Sequence, residues 1–219
     1  MFANSRQIQS TQAAPHPRLH EVVRKHVATP YQRQPSDSGT RAFAGISDEL
    51  AQKPFVLDAG CGTGASTLAL ARAFPDRLIL GVDKSATRLA IGQRVIDRGA
   101  VPANAVLLHC ELVDFWQLAA VAGLRCERQT LLYPNPWPKA EHLKRRWHAH
   151  PVFPQMLALG GVIELRTNWR VYSEEFSQAL GIAGVANICE AFVPDEPITP
   201  FERKYQASGH ALWRVQGTI

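Results

Sequence analysis

Cysteine is scarce and scattered in this chain: Cys61, Cys110, Cys126 and Cys189 make no C-x-x-C pair and no tight cluster. Neither a disulfide framework nor a cysteine-rich zinc site is suggested, and a reducing cytosol is the expected setting. No apolar run approaches the ~18 residues needed to cross a bilayer, so no membrane partner is expected. The first twenty residues are rich in Gln, Ser, Pro and Arg and lack the apolar stretch of a signal peptide. Large apolar side chains are also sparse through residue 17, where Pro15 and Pro17 oppose a helix, so a loose tail is expected there. There is no internal repeat. Acidic residues are in deficit, 19 against 24 Lys and Arg, and before residue 45 six basic residues face only Glu21 and Asp37. That imbalance favours polyanionic partners and sets residues 1–40 apart as a basic, partly disordered extension of a domain at 41–219.

What is present is enough to fold. Hydrophobic residues make up 46% of the 219 and charged residues 20%, which suits one large domain. Leu19, Val22, Val23 and Val27 recur at helical spacing, Pro30 to Gly39 reads as linker, and Phe43, Ile46 and Leu50 suggest a helix over 41–52. After Pro54, short apolar runs alternate with helix-period segments. Strands are expected at about 54–59, 77–83, 105–110, 129–133 and 160–167, with late strands near 186–192 and 210–216. Helices are expected at about 64–73, 85–98, 142–158 and 170–181. This is the pattern of an α/β protein, a seven-stranded, mostly parallel Rossmann-like sheet with helices on both faces. Working groups in such a sheet lie beyond the carboxyl ends of the strands.

The strongest local signal is Val56-Leu57-Asp58-Ala59-Gly60-Cys61-Gly62-Thr63-Gly64, a strand running through a glycine-rich turn into a helix. Gly60, Gly62 and Gly64 permit unusual backbone angles and let a ligand approach the main chain. The turn alone does not separate a nicotinamide cofactor from S-adenosylmethionine. Asp58 favours the latter, because a carboxylate attracts an ammonium and a sulfonium and serves a pyrophosphate poorly. Asp83, ending the second strand, is placed to accept both hydroxyls of an adenosine ribose. Glu111, after the third strand, could accept from an adenine amino group, although an acid there also suits a helix N-terminus.

A second signal follows the fourth strand. Three prolines stiffen Tyr133-Pro134-Asn135-Pro136-Trp137-Pro138-Lys139, and His142, Lys144, Arg145, Arg146 and His148 gather around Trp147. Basic residues interleaved with aromatics suit phosphates and unstacked bases, whereas the plainer reading is a solvated helix face. Metal ligation by His142, His148 and His150 is not expected, since positions two apart on a helix face different ways.

These motifs together resemble the bacterial tRNA (guanine-N7)-methyltransferases. The resemblance rests on the Asp58–Gly64 turn, the Pro134–Lys139 loop with Lys144-Arg145-Arg146, Thr167-Asn168-Trp169 with Tyr172 and Glu174, and Thr199-Pro200-Phe201-Glu202-Arg203 before Gly209, and it covers about residues 40–219. It implies a class I methyltransferase fold, S-adenosylmethionine as methyl donor and a guanine in the tRNA variable loop as acceptor. It also implies cofactor positions at Asp58, Asp83, Glu111 and Asn135, and substrate positions at Lys139, Asn168, Thr199, Pro200, Phe201 and Glu202. Trp137 would stack on a base while Lys139, Lys144, Arg145 and Arg146 grip phosphate.

The chain departs from that pattern twice, with Asn135 and Asn168 where the family usually has aspartate. Each change removes a charge that would stabilise the cationic product and accept from the guanine edge. The expectation is a retained fold and cofactor site, with N7 methylation that is slow, directed to another RNA, or absent. Asn135-Pro136-Trp137 also partly resembles the Asn-Pro-Pro-aromatic loop of exocyclic-amine methyltransferases, lacking its second proline. A methyltransferase of another base or amine, and an RNA-binding module without activity, are therefore the alternatives. Oligomeric state is not set by these features.

Overall fold

The computed structural model describes residues 5–99 and 102–219. Strands β1 (Phe55–Ala59), β2 (Leu78–Asp83), β3 (Ala105–His109), β4 (Arg128–Leu132), β5 (Val162–Thr167), β6 (Asn187–Phe192) and β7 (Leu212–Thr218) form one sheet. Their order is β3-β2-β1-β4-β5-β7-β6. The first five pair in parallel, and β7 runs antiparallel to both β5 and β6. This is the mostly parallel seven-stranded sheet that the sequence pattern predicts.

Every residue of β1 and β2 is buried, which is why they read as apolar runs without alternation. Val56 and Ile79 pack against Leu68, Leu70 and Ala71 of helix α4 (Ala65–Ala73) on one face. Phe55, Leu57, Leu78 and Leu80 point to the other, into a larger core built with α1 (Leu19–Ala28), α2 (Asp37–Ala44), α3 (Ser47–Gln52), α6 (Leu112–Val121), α7 (Phe153–Ala158) and α8 (Arg170–Ile182). Phe115, Trp116, Phe153 and Phe176 are fully buried there, each contributing about 1.5–3 kcal/mol of apolar transfer. Helix α5 (Ala86–Asp97) begins at Ser85, whose hydroxyl caps it by accepting from the Arg88 amide.

Three helical expectations need correction. The helix expected at 142–158 is two 3-10 turns, Ala140–Arg145 and Trp147–Ala149, followed by α7. Arg146 and His150 take extended backbone angles between them, the latter because Pro151 follows. The helix expected at 41–52 is split at Gly45 and Ile46 into α2 and α3. Helix α6 and α9 (Pro200–Ala207) were not expected. Residues 112–121 are apolar nearly throughout and buried on most sides, so no amphipathic period marks them. The segment at 5–17, read as a loose tail, is hydrogen-bonded to the domain: Ser10 Oγ donates to the Pro138 carbonyl and Gln12 Nε2 to Glu175.

Candidate active site

The strand order reverses between β1 and β4, and a cavity of about 910 Å³ opens there at the carboxyl ends of the strands. Its first wall is the glycine turn. Gly60, Gly62 and Gly64 have φ of +79°, +59° and +74°, in the left-handed region that side chains disfavour. The Gly60 and Cys61 amides donate to the Val82 carbonyl, locking the turn to β2. Helix α5 presses on it from the side. A Cβ at Gly92 would lie 2.6 Å from the Thr63 carbonyl oxygen.

Asp83 lines the cavity, and its carboxylate accepts from the Gly62 amide (3.0 Å) and the Ser85 amide (2.8 Å). Arg88 lies 3.2 Å from it. Glu111, half exposed, faces the same space with Lys84 at 3.7 Å. Neither Lys84 nor Arg88 stood out in the sequence, because single cations beside ordinary helix caps carry no pattern. Asp58 is not on the wall. It is 1% exposed beneath the turn, accepting from the hydroxyls of Ser66 (2.6 Å), Thr67 (2.7 Å) and Thr130 (3.3 Å). Burial raises its pKa against those three hydroxyls, which lower it. From there it braces β1, α4 and β4 around the turn. Gly64 likewise starts α4 rather than lining the cavity.

The loop after β4 forms the second wall, with Tyr133, Pro134, Asn135, Pro136 and Trp137 all on the cavity. Tyr133 and Trp137 hold φ of 54° and 47°, a left-handed conformation costing about 1–3 kcal/mol each in a bulky residue. The surroundings impose it. The Tyr133 amide donates to the Arg166 carbonyl, and the Trp137 amide to Asn135 Oδ1 at 3.3 Å. Arg145 stacks its guanidinium 4.8 Å from the Trp137 ring, and Lys144 lies beside it, both solvent-exposed.

Arg146 does not share that position. It is fully buried and off the cavity wall: its guanidinium donates to Glu175 (2.5 Å), to Gln12 Oε1 and to the carbonyls of Trp137 and Lys139. Glu175, equally buried, also accepts from His148 Nε2 (2.9 Å) and the His16 amide (2.8 Å). Burial raises the Glu175 pKa, but the hydrogen bonds and charge around it outweigh that and hold it at about 2. His148 is pushed below its ordinary value, burial outweighing Glu175, so it donates as a neutral ring. This cluster fixes the Trp137 loop from below. Lys139 is exposed and lies off the cavity wall.

The third wall comes from the C-terminal part. Asn168, Thr199, Pro200, Phe201 and Tyr205 line the cavity, with Phe201 half exposed at the lip and its ring stacked 6.1 Å from Tyr205. Thr199 caps α9 by accepting from the Glu202 amide. Glu202 is fully buried. It accepts from Tyr133 Oη (2.9 Å), Arg166 Nη1 (3.0 Å) and the Ile198 amide (2.8 Å), tying the lip to β5 and to the loop.

A family model described as "Putative methyltransferase" matches residues 52–215. A tRNA (guanine-N(7)-)-methyltransferase from Pseudomonas aeruginosa PAO1 is 31% identical over 215 residues, covering 89% of this chain and 86% of its own. One from Ectopseudomonas mendocina is 30% identical over 193 residues, covering 82% and 78%. Among solved structures, the 16S rRNA methyltransferase KamB superposes with a TM-score of 0.58 at 19% identity, over 85% of this chain and 95% of that one. A 16S rRNA (adenine(1408)-N(1))-methyltransferase from Catenulisporales acidiphilia gives 0.54 at 16% identity, over 78% and 90%. These two likenesses establish the class I methyltransferase fold.

Proposed function

The chain belongs to the tRNA (guanine-N7)-methyltransferase family, and from that membership we propose that it transfers the methyl group of S-adenosylmethionine to N7 of a guanine in the tRNA variable loop. The observation that carries this reading is the continuity of one cavity from the glycine turn and Asp83 to Trp137, Lys144, Arg145 and Asn168. A nucleoside-bearing donor and a base of a polyanion could meet in it.

The residues present fit that donor. A turn of three left-handed glycines leaves main chain open to a ligand, and two carboxylates, Asp83 at the end of β2 and Glu111 just after β3, line the same wall. Asp83 would take ribose hydroxyls and Glu111 the adenine amino group. S-adenosylmethionine supplies an electrophilic methyl on a positively charged sulfur. Guanine N7 carries a free lone pair, so no side chain has to remove a proton first, and the work of the chain is alignment. Trp137 offers a ring for the base, set at its angle by the left-handed backbone and by Arg145. Asn135 and Asn168 offer amide groups to the base edge, weaker partners for the growing cation than carboxylates. Lys144 and Arg145 meet phosphate.

The test is transfer of labelled methyl to tRNA from cells lacking guanine-N7 methylation, with donor binding followed by calorimetry in the same preparation. Incorporation at guanine is expected. Donor binding without incorporation into any tRNA would overturn the substrate assignment, and absence of donor binding would overturn the cofactor assignment.

A further inference from the structure

Asn168 lines the cavity, and an amide, unlike a carboxylate, has a donor end and an acceptor end. Which end faces the cavity decides what base edge it can read. The structure supplies a chain of contacts that determines this. His210 Nε2 lies 2.9 Å from the carbonyl oxygen of Ser5. A carbonyl only accepts, so Nε2 must carry a proton. In the neutral ring Nδ1 is then left with a lone pair. Nδ1 lies 3.1 Å from the Asn168 side-chain nitrogen. Only the amide NH2 can satisfy that lone pair, so the oxygen of Asn168 is directed elsewhere. Asn168 lines the cavity and His210 does not. Tyr205, stacked on the His210 ring at 5.2 Å and 15°, fixes the plane of the imidazole.

We infer that His210 is a positioning residue that orients the Asn168 amide with its oxygen toward the cavity, selecting a base that presents N–H groups there. Guanine offers N1–H and N2–H on its Watson–Crick edge, whereas adenine offers a lone pair at N1. A turned amide would present NH2 to guanine's donors and leave both unpaired. The backbone carbonyl of Ser5, in the basic N-terminal segment, thereby sets the polarity of a group on the opposite side of the ring. The base assignment in this inference rests on the function proposed above; the tautomer assignment does not.

Two measurements on the full chain decide it. Long-range 1H–15N NMR of protein labelled at histidine, with His210 assigned by its loss in His210→Gln, is expected to give the Nε2–H tautomer, and a second ring proton is expected to appear in Asn168→Asp. A ring protonated at Nδ1 in the natural chain, or one unchanged by Asn168→Asp, overturns the inference whatever the enzyme methylates. In steady-state transfer to tRNA, His210→Ala is expected to lower kcat/KM roughly tenfold, the size of one misdirected hydrogen bond. In the Asn168→Asp background the same change is expected to cost less than about twofold, because a carboxylate has oxygen on both sides and needs no orienting. Equal losses in the two backgrounds would mean that His210 only packs against Tyr205, and would overturn the inference. Absence of transfer to any guanine would refute the proposed substrate and leave the tautomer measurement to decide the geometry.

Discussion

At the scale of single residues, the two asparagines and Trp137 separate binding from turnover. Asn135 Oδ1 accepts from the Trp137 amide, and an aspartate could keep that turn while adding a charge near the acceptor base. Asn135→Asp is therefore expected to raise kcat several-fold with little change in melting temperature. A fall in kcat with the fold intact would show that the amide's donor end is needed. Trp137→Ala should raise KM for tRNA about tenfold or more, since stacking a base on an aromatic ring is worth about 1–3 kcal/mol. An unchanged KM would remove Trp137 from the base-binding wall. Such roles were only partly legible in the sequence. Nothing in Lys144-Arg145-Arg146 says which cation turns inward; that is decided by Glu175, a buried carboxylate 29 positions further on. Asp58 and Glu202 stood out as acids in the right motifs, but whether an acid touches a ligand or braces the backbone depends on hydroxyls and cations brought in from other strands.

At the scale of elements, the Trp137 loop is held by α8 and by the N-terminal segment through one buried ion pair. Glu175→Gln leaves Arg146 as a buried cation without its partner, which typically costs about 3–5 kcal/mol. For a chain of this size that is a fall in melting temperature of roughly 6–20 °C. The pH dependence has a definite sign. The folded-state pKa of about 2 lies below the ordinary 4.5, so the contribution of Glu175 is complete above about pH 4.5 and is lost as pH falls toward 2. Natural chain and variant should thus differ most near neutrality and converge in acid; a constant difference would place the effect outside this carboxylate. The parallel strands and the helices that flank them were readable because buried strands are uniformly apolar and exposed helices are periodic. The failures have physical causes too. The inward pull on Arg146 and the proline after His150 break a helix that the spacing alone supports, and α6 has no wet face to reveal it.

At the scale of the whole molecule, the net charge of +5 and the exposed Lys144 and Arg145 beside the cavity predict salt-sensitive RNA binding. Replacing either with alanine should weaken binding to all tRNAs alike and flatten the slope of log affinity against log salt by about one. A slope unchanged in both variants would move the phosphate track to another surface. The fold and the family could be reached from the motifs in series. The division of that series into walls and braces could not, because it follows from the sheet order that brings residues 58, 83, 135, 168 and 201 to one end. The proposed methyl transfer to N7 of guanine in this cavity is open to a direct test. The most direct measurement compares methyl transfer to a tRNA transcript and to the same transcript carrying 7-deazaguanine, which has carbon in place of N7. Incorporation is expected into the first and none into the second; equal incorporation into both would rule out N7 as the methylated atom.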